Sequence, residues 1–427
     1  MQCRGGSTTA CMASPLPLGL HRRNFWVAGS EAAIYIASLQ LVGPMTMIPF
    51  LFKRVGIASH WLGLFTISAL IMAVGTPLGS AIAGGRAWKK SFCVRTGFFQ
   101  RLPFILVPIG AMFWFDRPVT LLLLLAVAWA LSSFAAGCAS PIYNVVITNG
   151  TRETSWGRLM STRHVLGAVL GFGLTGFVWC VNRAVPPPSN YIVLGWTGFG
   201  LLYVSLYVFT RFREVPIRQE LVRDTGGLLG TVREIRSIWR EDARVRWFVF
   251  GRILRSFGYV LGTYMTAVAI VRCALTDKDM WIPVLAFSVA RVLTGSVAGW
   301  FIDRFGAKPA LVLSALLISG GSLMIMSVRS IPSFLAVVGV CSLAGSLLMN
   351  GLPTMAVKMT SRDRVPAYLS TLSLASAPGV MLVALLGMFL VWRTGYEVVF
   401  WLSSAGTLVA AAVLYVKLPH IKHAPDA

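Results

Sequence analysis

Five ionisable residues stand in stretches of sequence otherwise almost free of charge: Glu31, Arg101, Arg252, Arg255 and Arg291. An ionised group at mid-bilayer depth costs at least about 2.5–3.5 kcal/mol on insertion scales, so it faces a water-filled cavity or a partner. Guanidinium groups grip carboxylates and phosphates through paired N–H donors, and a buried carboxylate can carry a coupling proton. Arg291 follows Trp281 by ten residues, about 15 Å along a helix and hence near the midplane. It is expected to contact an anion or to hold a mobile ion pair. Arg255 lies one turn deeper than Arg252, which can snorkel to water. Arg101 is expected to hold a helix interface. Glu31 is read either as a proton carrier or as a fixed partner of Arg252 or Arg255. Four Arg against one Glu make a positive chamber, suited to a carboxylate or phosphorylated small molecule.

Four stripes of polar and aromatic residues repeat at helical spacing: Glu31, Tyr35 and Ser38; Trp129, Ser133, Ser140 and Asn144; Arg252, Arg255, Tyr259 and Thr266; Ser342, Ser346 and Asn350. Steps of three, four or seven residues place each set on one helix face. The alternative reading is a sugar or polyol, for which Asn144, Asn350, Tyr259, Tyr35 and Trp129 supply hydrogen bonds and a stacking surface. An integral-membrane enzyme is the remote alternative. The five His (His21, His60, His164, His420 and His423) read as lying in tails or at span ends, and no HExxH, GxSxG or Walker pattern occurs. No cofactor and no metal are expected.

These residues must be positioned by elements of a particular kind. The chain is 56% hydrophobic and 12% charged, with a mean hydropathy of +0.72. About 20 apolar residues cross a bilayer as a helix. The pattern predicts twelve spans, near 27–52, 61–83, 97–115, 119–141, 164–182, 191–211, 247–271, 281–302, 310–328, 333–355, 367–392 and 397–416. The net charge of +23 would suggest nucleic acid in a soluble chain. Here the basic residues sit in loops, and 26 of the 38 Lys and Arg fall on the side that holds both termini, against 8 on the other. The positive-inside rule makes that side cytoplasmic. The expected organisation is a disordered cytoplasmic tail (1–25), a six-helix bundle (26–211), a cytoplasmic central loop (212–246), a second six-helix bundle (247–416) and a cytoplasmic tail (417–427), with Met12 a candidate start. Within the central loop, 228–239 reads as an amphipathic helix on anionic lipid or as a solvated linker.

The halves read as weak copies: Gly75–Lys90 resembles Gly295–Lys308 in texture, and Ser140-Pro141 corresponds to Leu352-Pro353. The run Gly299-Trp300-Phe301-Ile302-Asp303-Arg304-Phe305-Gly306-Ala307-Lys308 resembles the loop 8–9 signature of the major facilitator superfamily, departing at Ala307, where a basic residue is usual. In the first-half copy Gly79 is present, but Ala83 stands where Asp would be. The resemblance implies a monomeric secondary transporter, all-α and polytopic, with twelve transmembrane helices in two pseudo-symmetric bundles. Such bundles rock about a midplane site in the inner (plasma) membrane. It implies a cavity lined by helices 1, 4, 7 and 10, hence by Glu31, Tyr35, Trp129, Asn144, Arg252, Arg255, Tyr259 and Asn350, with Arg291 from helix 8. It further implies a gating role for Gly299, Asp303, Arg304, Gly306 and Lys308, with Gly299 allowing a close helix contact and Gly306 a tight turn. The expected partners are a small-molecule substrate, a coupling proton and membrane lipids, not nucleic acid. A drug or lipid exporter of the same fold is a further alternative.

Overall fold

In hydrocarbon every backbone N–H and C=O must be satisfied within the chain, and long apolar runs meet that demand as helices. The computed structural model describes residues 17–83, 88–152, 155–216, 227–360 and 365–419. The expected tails over 1–16 and beyond 419, the candidate start, the loop at 84–87 and Arg362 lie outside the described residues. Among the described residues, twelve helical spans are long and apolar enough to cross a membrane.

The first half contains α1 (Leu18–Val42) and α2 (Met47–Val55), a short turn into α3 (Leu64–Ala83), α4 (Lys90–Arg101) and α5 (Leu106–Phe113), then α6 (Pro118–Asn149), α7 (Trp156–Ala184) and α8 (Ser189–Thr210). After α9 (Gly227–Glu241), the second half contains α10 (Ala243–Arg255) and α11 (Phe257–Arg272), then α12 (Trp281–Phe305), α13 (Ala307–Met324), α14 (Ile331–Met359), α15 (Val365–Thr394) and α16 (Tyr396–Lys417). Pairs α1/α2, α4/α5 and α10/α11 each make one interrupted span. Pro44 supplies no N–H just after α1, and Pro103 falls in the tight turn between α4 and α5, as expected where proline removes a helix donor.

Two sequence-based boundaries are corrected. Residues 18–25 are helical rather than part of a tail, because Asn24 is fully buried and anchors that turn. Its Nδ2 donates to the carbonyls of Gly150 (2.9 Å) and Arg213 (2.8 Å). Helix α10 starts at Ala243, four residues before the expected 247, because Asp242 caps it by accepting from the Arg244 amide at 2.9 Å. Hydropathy marks where lipid begins, not where helical hydrogen bonding begins.

The same pairings recur in both halves. The second and fourth spans pack together (α3 on α6), as do the eighth and tenth (α12 on α14). The first span contacts the fifth and sixth, and the seventh contacts the eleventh and twelfth. Glycine sets the α3–α6 approach: a Cβ at Gly79 would fall 2.0 Å from the Cys138 carbonyl oxygen, and one at Gly137 2.0 Å from that of Met72. In the second half, serine pairs join α13 to α16, Ser319 to Ser404 and Ser322 to Ser403, each at 2.9 Å. Small residues and hydroxyl bonds are the usual adhesive where lipid is as apolar as leucine. The side chains turned outward on these spans are apolar, among them Leu123, Leu131, Val169, Leu293 and Leu382. This is an integral membrane protein. The halves meet along two seams, α7 against α12 and α3 against α15.

Candidate functional site

The halves are fastened at the end away from the termini. Arg54 pairs with Asp277 at 3.8 Å, and the buried Tyr191 donates to the same carboxylate at 2.9 Å. Lys53 donates to the Leu275 carbonyl (2.8 Å), Tyr264 to that of His60 (2.9 Å) and Thr266 to that of Met45 (2.6 Å), while the hydroxyls of Ser59 and Tyr396 share a hydrogen bond. One apolar core runs through this end and takes residues from both halves, including Met47, Phe52, Leu261, Met265 and Leu275. Toward the termini the core divides. Phe92, Ile147, Leu159 and Phe209 cluster within the first half, and Val245, Phe248, Leu311 and Leu372 within the second. Apolar packing between the halves is thus concentrated at the end away from the termini.

Arg291 projects at the α7–α12 seam, between the halves. It is half-buried, its Nη1 is buried without a hydrogen-bond partner, and among the described residues no carboxylate pairs with it. His164 of α7 lies within electrostatic range. A Cβ at Gly295, one turn beyond Arg291, would come within 3.1 Å of the His164 Cβ, so the helices cross there. The Nδ1 of His164 is also buried and unpartnered. Further along the seam, Ser288 donates to Gln40 Oε1 at 3.3 Å, and Gln40 Nε2 has no partner. Three elements, α1, α7 and α12, thus place polar groups along this seam, Gln40 and Ser288 about two turns from the His164–Gly295 crossing.

Sequence reasoning missed two of these groups. Gln40 extends the Tyr35 helix by little more than a turn, and its unpaired amide in an apolar run was the available signal. His164 was placed at a span end, whereas α7 begins at Trp156 and carries it about 12 Å inward.

The helix 1 stripe is corrected. Glu31 does not pair with Arg252 or Arg255. It is 5% exposed, accepts from Arg101 Nη2 at 3.2 Å and from Tyr143 OH at 2.6 Å, and so is enclosed within the first half. Arg101 completes the enclosure by donating to the carbonyls of Gly97 (3.0 Å) and Leu202 (2.9 Å) and to Ser205. Tyr35 follows Glu31 inward, accepting from Gln100 at 2.7 Å under the Arg101 guanidinium. Trp129 is likewise turned into the bundle, edge-on to Phe65 and Phe104.

On the seventh span, Arg255 is 5% exposed. Its Nη2 donates to Ser314 at 3.0 Å, its Nε is unpartnered, and it faces α13 rather than open space. Arg252 and Tyr259 are half-buried on the neighbouring strip of that span, with Arg255 6.0 Å from the Tyr259 ring. Asn144 is exposed and Asn350 half-buried. Ser346 is spent on Thr294, at 3.1 Å.

In the turn between α12 and α13, Gly306 has φ +92°, a conformation that favours glycine. The expectation for Gly299 is overturned: a Cβ there would meet nothing within 4 Å, so no close helix contact exists. Asp303 and Arg304 are exposed, with Arg304 over Trp300. Lys308 donates to the Leu418 carbonyl at 2.7 Å. No group of three or more His, Cys, Asp or Glu among the described residues could hold a metal.

Residues 279–427 match the sequence profile of the Major Facilitator Superfamily. A Pectobacterium carotovorum protein named for multidrug resistance, MdtD, is 23% identical over 187 residues, 42% of this chain and 40% of the relative. The chain thus spans less than half the length of that curated relative. The fold extends further. The crystal structure of a mutant of the nucleoside transporter NupG superposes with a TM-score of 0.68 at 11% identity, covering 94% of this chain and 100% of that one. The Escherichia coli xylose transporter XylE, in a partially occluded inward-open conformation, gives 0.61 at 15% identity, covering 94% and 98%.

Proposed function

We propose, from the premise that this chain is a major facilitator superfamily protein, that it is a carrier moving a small organic anion across the membrane by alternating access. One observation carries the reading. Arg291, at the seam between the halves, has no carboxylate partner, while Glu31, the one carboxylate deep within a described span, is consumed by Arg101. A carboxylate or phosphate reaching the seam supplies the missing counter-charge, received by Arg291 and His164. Arg252 and Tyr259 extend the positive wall, and Asn144 and Asn350 offer neutral hydrogen bonds to the rest of the solute. Buried guanidinium groups without counter-ions are expensive, and a transient anionic ligand explains why one would be kept at a seam that moves.

With the termini cytoplasmic by the distribution of Lys and Arg, the fastened end faces outward, and the carrier is read as opening inward. The carrier then sits in the inner (plasma) membrane as a monomer among lipids. A drug exporter of the same fold is the second reading, favoured by the name of the MdtD relative; hydrophobic cations then replace anions as cargo. Counterflow in proteoliposomes with labelled dicarboxylates, phosphate esters, sugars and hydrophobic cations tests both. Arg291→Gln is expected to lower kcat/KM for the anion about 10- to 100-fold, the loss of one or two charge-assisted hydrogen bonds. Neutral or cationic cargo carried undiminished by Arg291→Gln, with no anion carried by the native chain, refutes the proposal.

A further inference from the structure

We infer that the carrier is an obligatory exchanger: it passes between its two openings only with an anion seated at Arg291 and His164. This rests on the reading of the seam as an anion site. The α7–α12 seam holds Arg291 Nη1 and His164 Nδ1, and the adjoining α1 adds Gln40 Nε2, all three buried and without partners. The remaining polar neighbours there are neutral or positive. Ser288 and Thr294 are spent on Gln40, Val284 and Ser346. Arg163, on the other face of α7, is held by Tyr143 at 2.5 Å and the Ala28 carbonyl at 3.3 Å.

Among the described residues no carboxylate reaches this place. Glu31 is held by Arg101 and Tyr143, and Asp303, the next acid on α12, stands twelve residues beyond Arg291 at the rim, about 18 Å along the helix.

In the state described here Arg291 is half-buried, with its Nη1 already enclosed. Passage through an occluded state buries the rest of the side chain, leaving a desolvated guanidinium with nothing opposite it. The occluded intermediate of the empty carrier is thereby raised in energy, while an anion in place neutralises the charge and lowers it. Among the described residues the seam offers no carboxylate to carry a proton in the anion's stead.

Hydrogen–deuterium exchange of the full chain in lipid nanodiscs reads this without knowing the cargo. In the absence of added anion, the fastened end (Met45–Val55, Ser59–Thr66 and Tyr264–Asp277) is expected to stay protected. In Arg291→Gln the same segments are expected to exchange at least 10-fold faster, and in Arg291→Lys, which keeps the charge, to remain protected. Unchanged protection across the α13–α16 contacts checks that the variants are folded. Equal protection of native chain and Arg291→Gln overturns the inference.

Flux separates it from the reading beneath it. With succinate and glycerol 3-phosphate as probes, exchange against internal anion is expected to exceed net uptake into empty vesicles at least 10-fold, with or without a proton gradient. Net uptake as fast as exchange overturns obligatory exchange and leaves anion carriage standing. If neither probe nor any other anion is carried, the anion-site reading fails and takes this inference with it.

Discussion

The enclosed Glu31–Arg101 pair makes a sharp prediction. Both side chains are almost wholly buried, at 6% and 5% exposure, so solvent screening gives little relief. In Arg101→Leu the Glu31 carboxylate keeps the Tyr143 hydroxyl alone, and Gly97 O, Leu202 O and Ser205 Oγ each lose the guanidinium as a donor, Leu202 O keeping the Ser205 hydroxyl. Removing one partner of a buried pair costs about 3–5 kcal/mol. Glu31→Gln is milder. Its amide oxygen can still accept from Tyr143, and Arg101 retains its neutral acceptors, so the loss is about 1.5–3 kcal/mol, that of one charge-assisted bond. Combining Glu31→Leu with Arg101→Leu removes both charges. It is expected to cost less than Arg101→Leu alone, a coupling of about 2 kcal/mol or more. Unfolding by sodium dodecyl sulfate in mixed micelles, followed by tryptophan fluorescence, measures each step. Additive effects, or Arg101→Leu within about 1 kcal/mol of the native chain, refute the argument. A functional corollary separates structure from coupling: Glu31→Gln is expected to transport with an unaltered pH dependence, which a proton-carrying Glu31 would not allow.

Gly79→Ala places a methyl group 2.0 Å from the Cys138 carbonyl and is expected to cost about 3 kcal/mol or to prevent folding, whereas Gly299→Ala, with open space around it, should leave stability within about 0.5 kcal/mol; thermal unfolding in detergent distinguishes them. Arg255→Met keeps the Ser314 hydroxyl satisfied by the Ala344 carbonyl and replaces an unpaired buried charge by an apolar chain, so stability is expected to hold or rise by about 1–3 kcal/mol. A fall above about 1 kcal/mol in the same assay contradicts that account. Asp277→Leu leaves the buried Tyr191 hydroxyl without its acceptor and should weaken the fastened end by about 1–3 kcal/mol. Faster hydrogen exchange of Tyr264–Arg272 is the expected readout, and unaltered exchange there counts against the fastening.

Hydropathy alone determined the twelve spans, the two six-helix halves and the all-helical class, because the bilayer imposes one length and one way of satisfying the backbone. The motif ending at Lys308 carried the family resemblance for the same local reason: its glycine at 306 answers a turn that neighbouring residues fix. Helical spacing also grouped Glu31 with Tyr35 and Arg252 with Tyr259 on common faces. What spacing could not decide was the direction in which each face turns. The Glu31 stripe points into its own bundle because Arg101, 70 residues away, and Tyr143, 112 residues away, meet it there. His164 and Arg291 come together at a crossing whose angle and depth depend on Gly295 and Gly171 fitting against a helix from the other half. Pairing of charges across such distances is settled by the packing of whole helices, so the ionisable residues were legible in the sequence, and which of them remained without a counter-ion was decided by the tertiary structure.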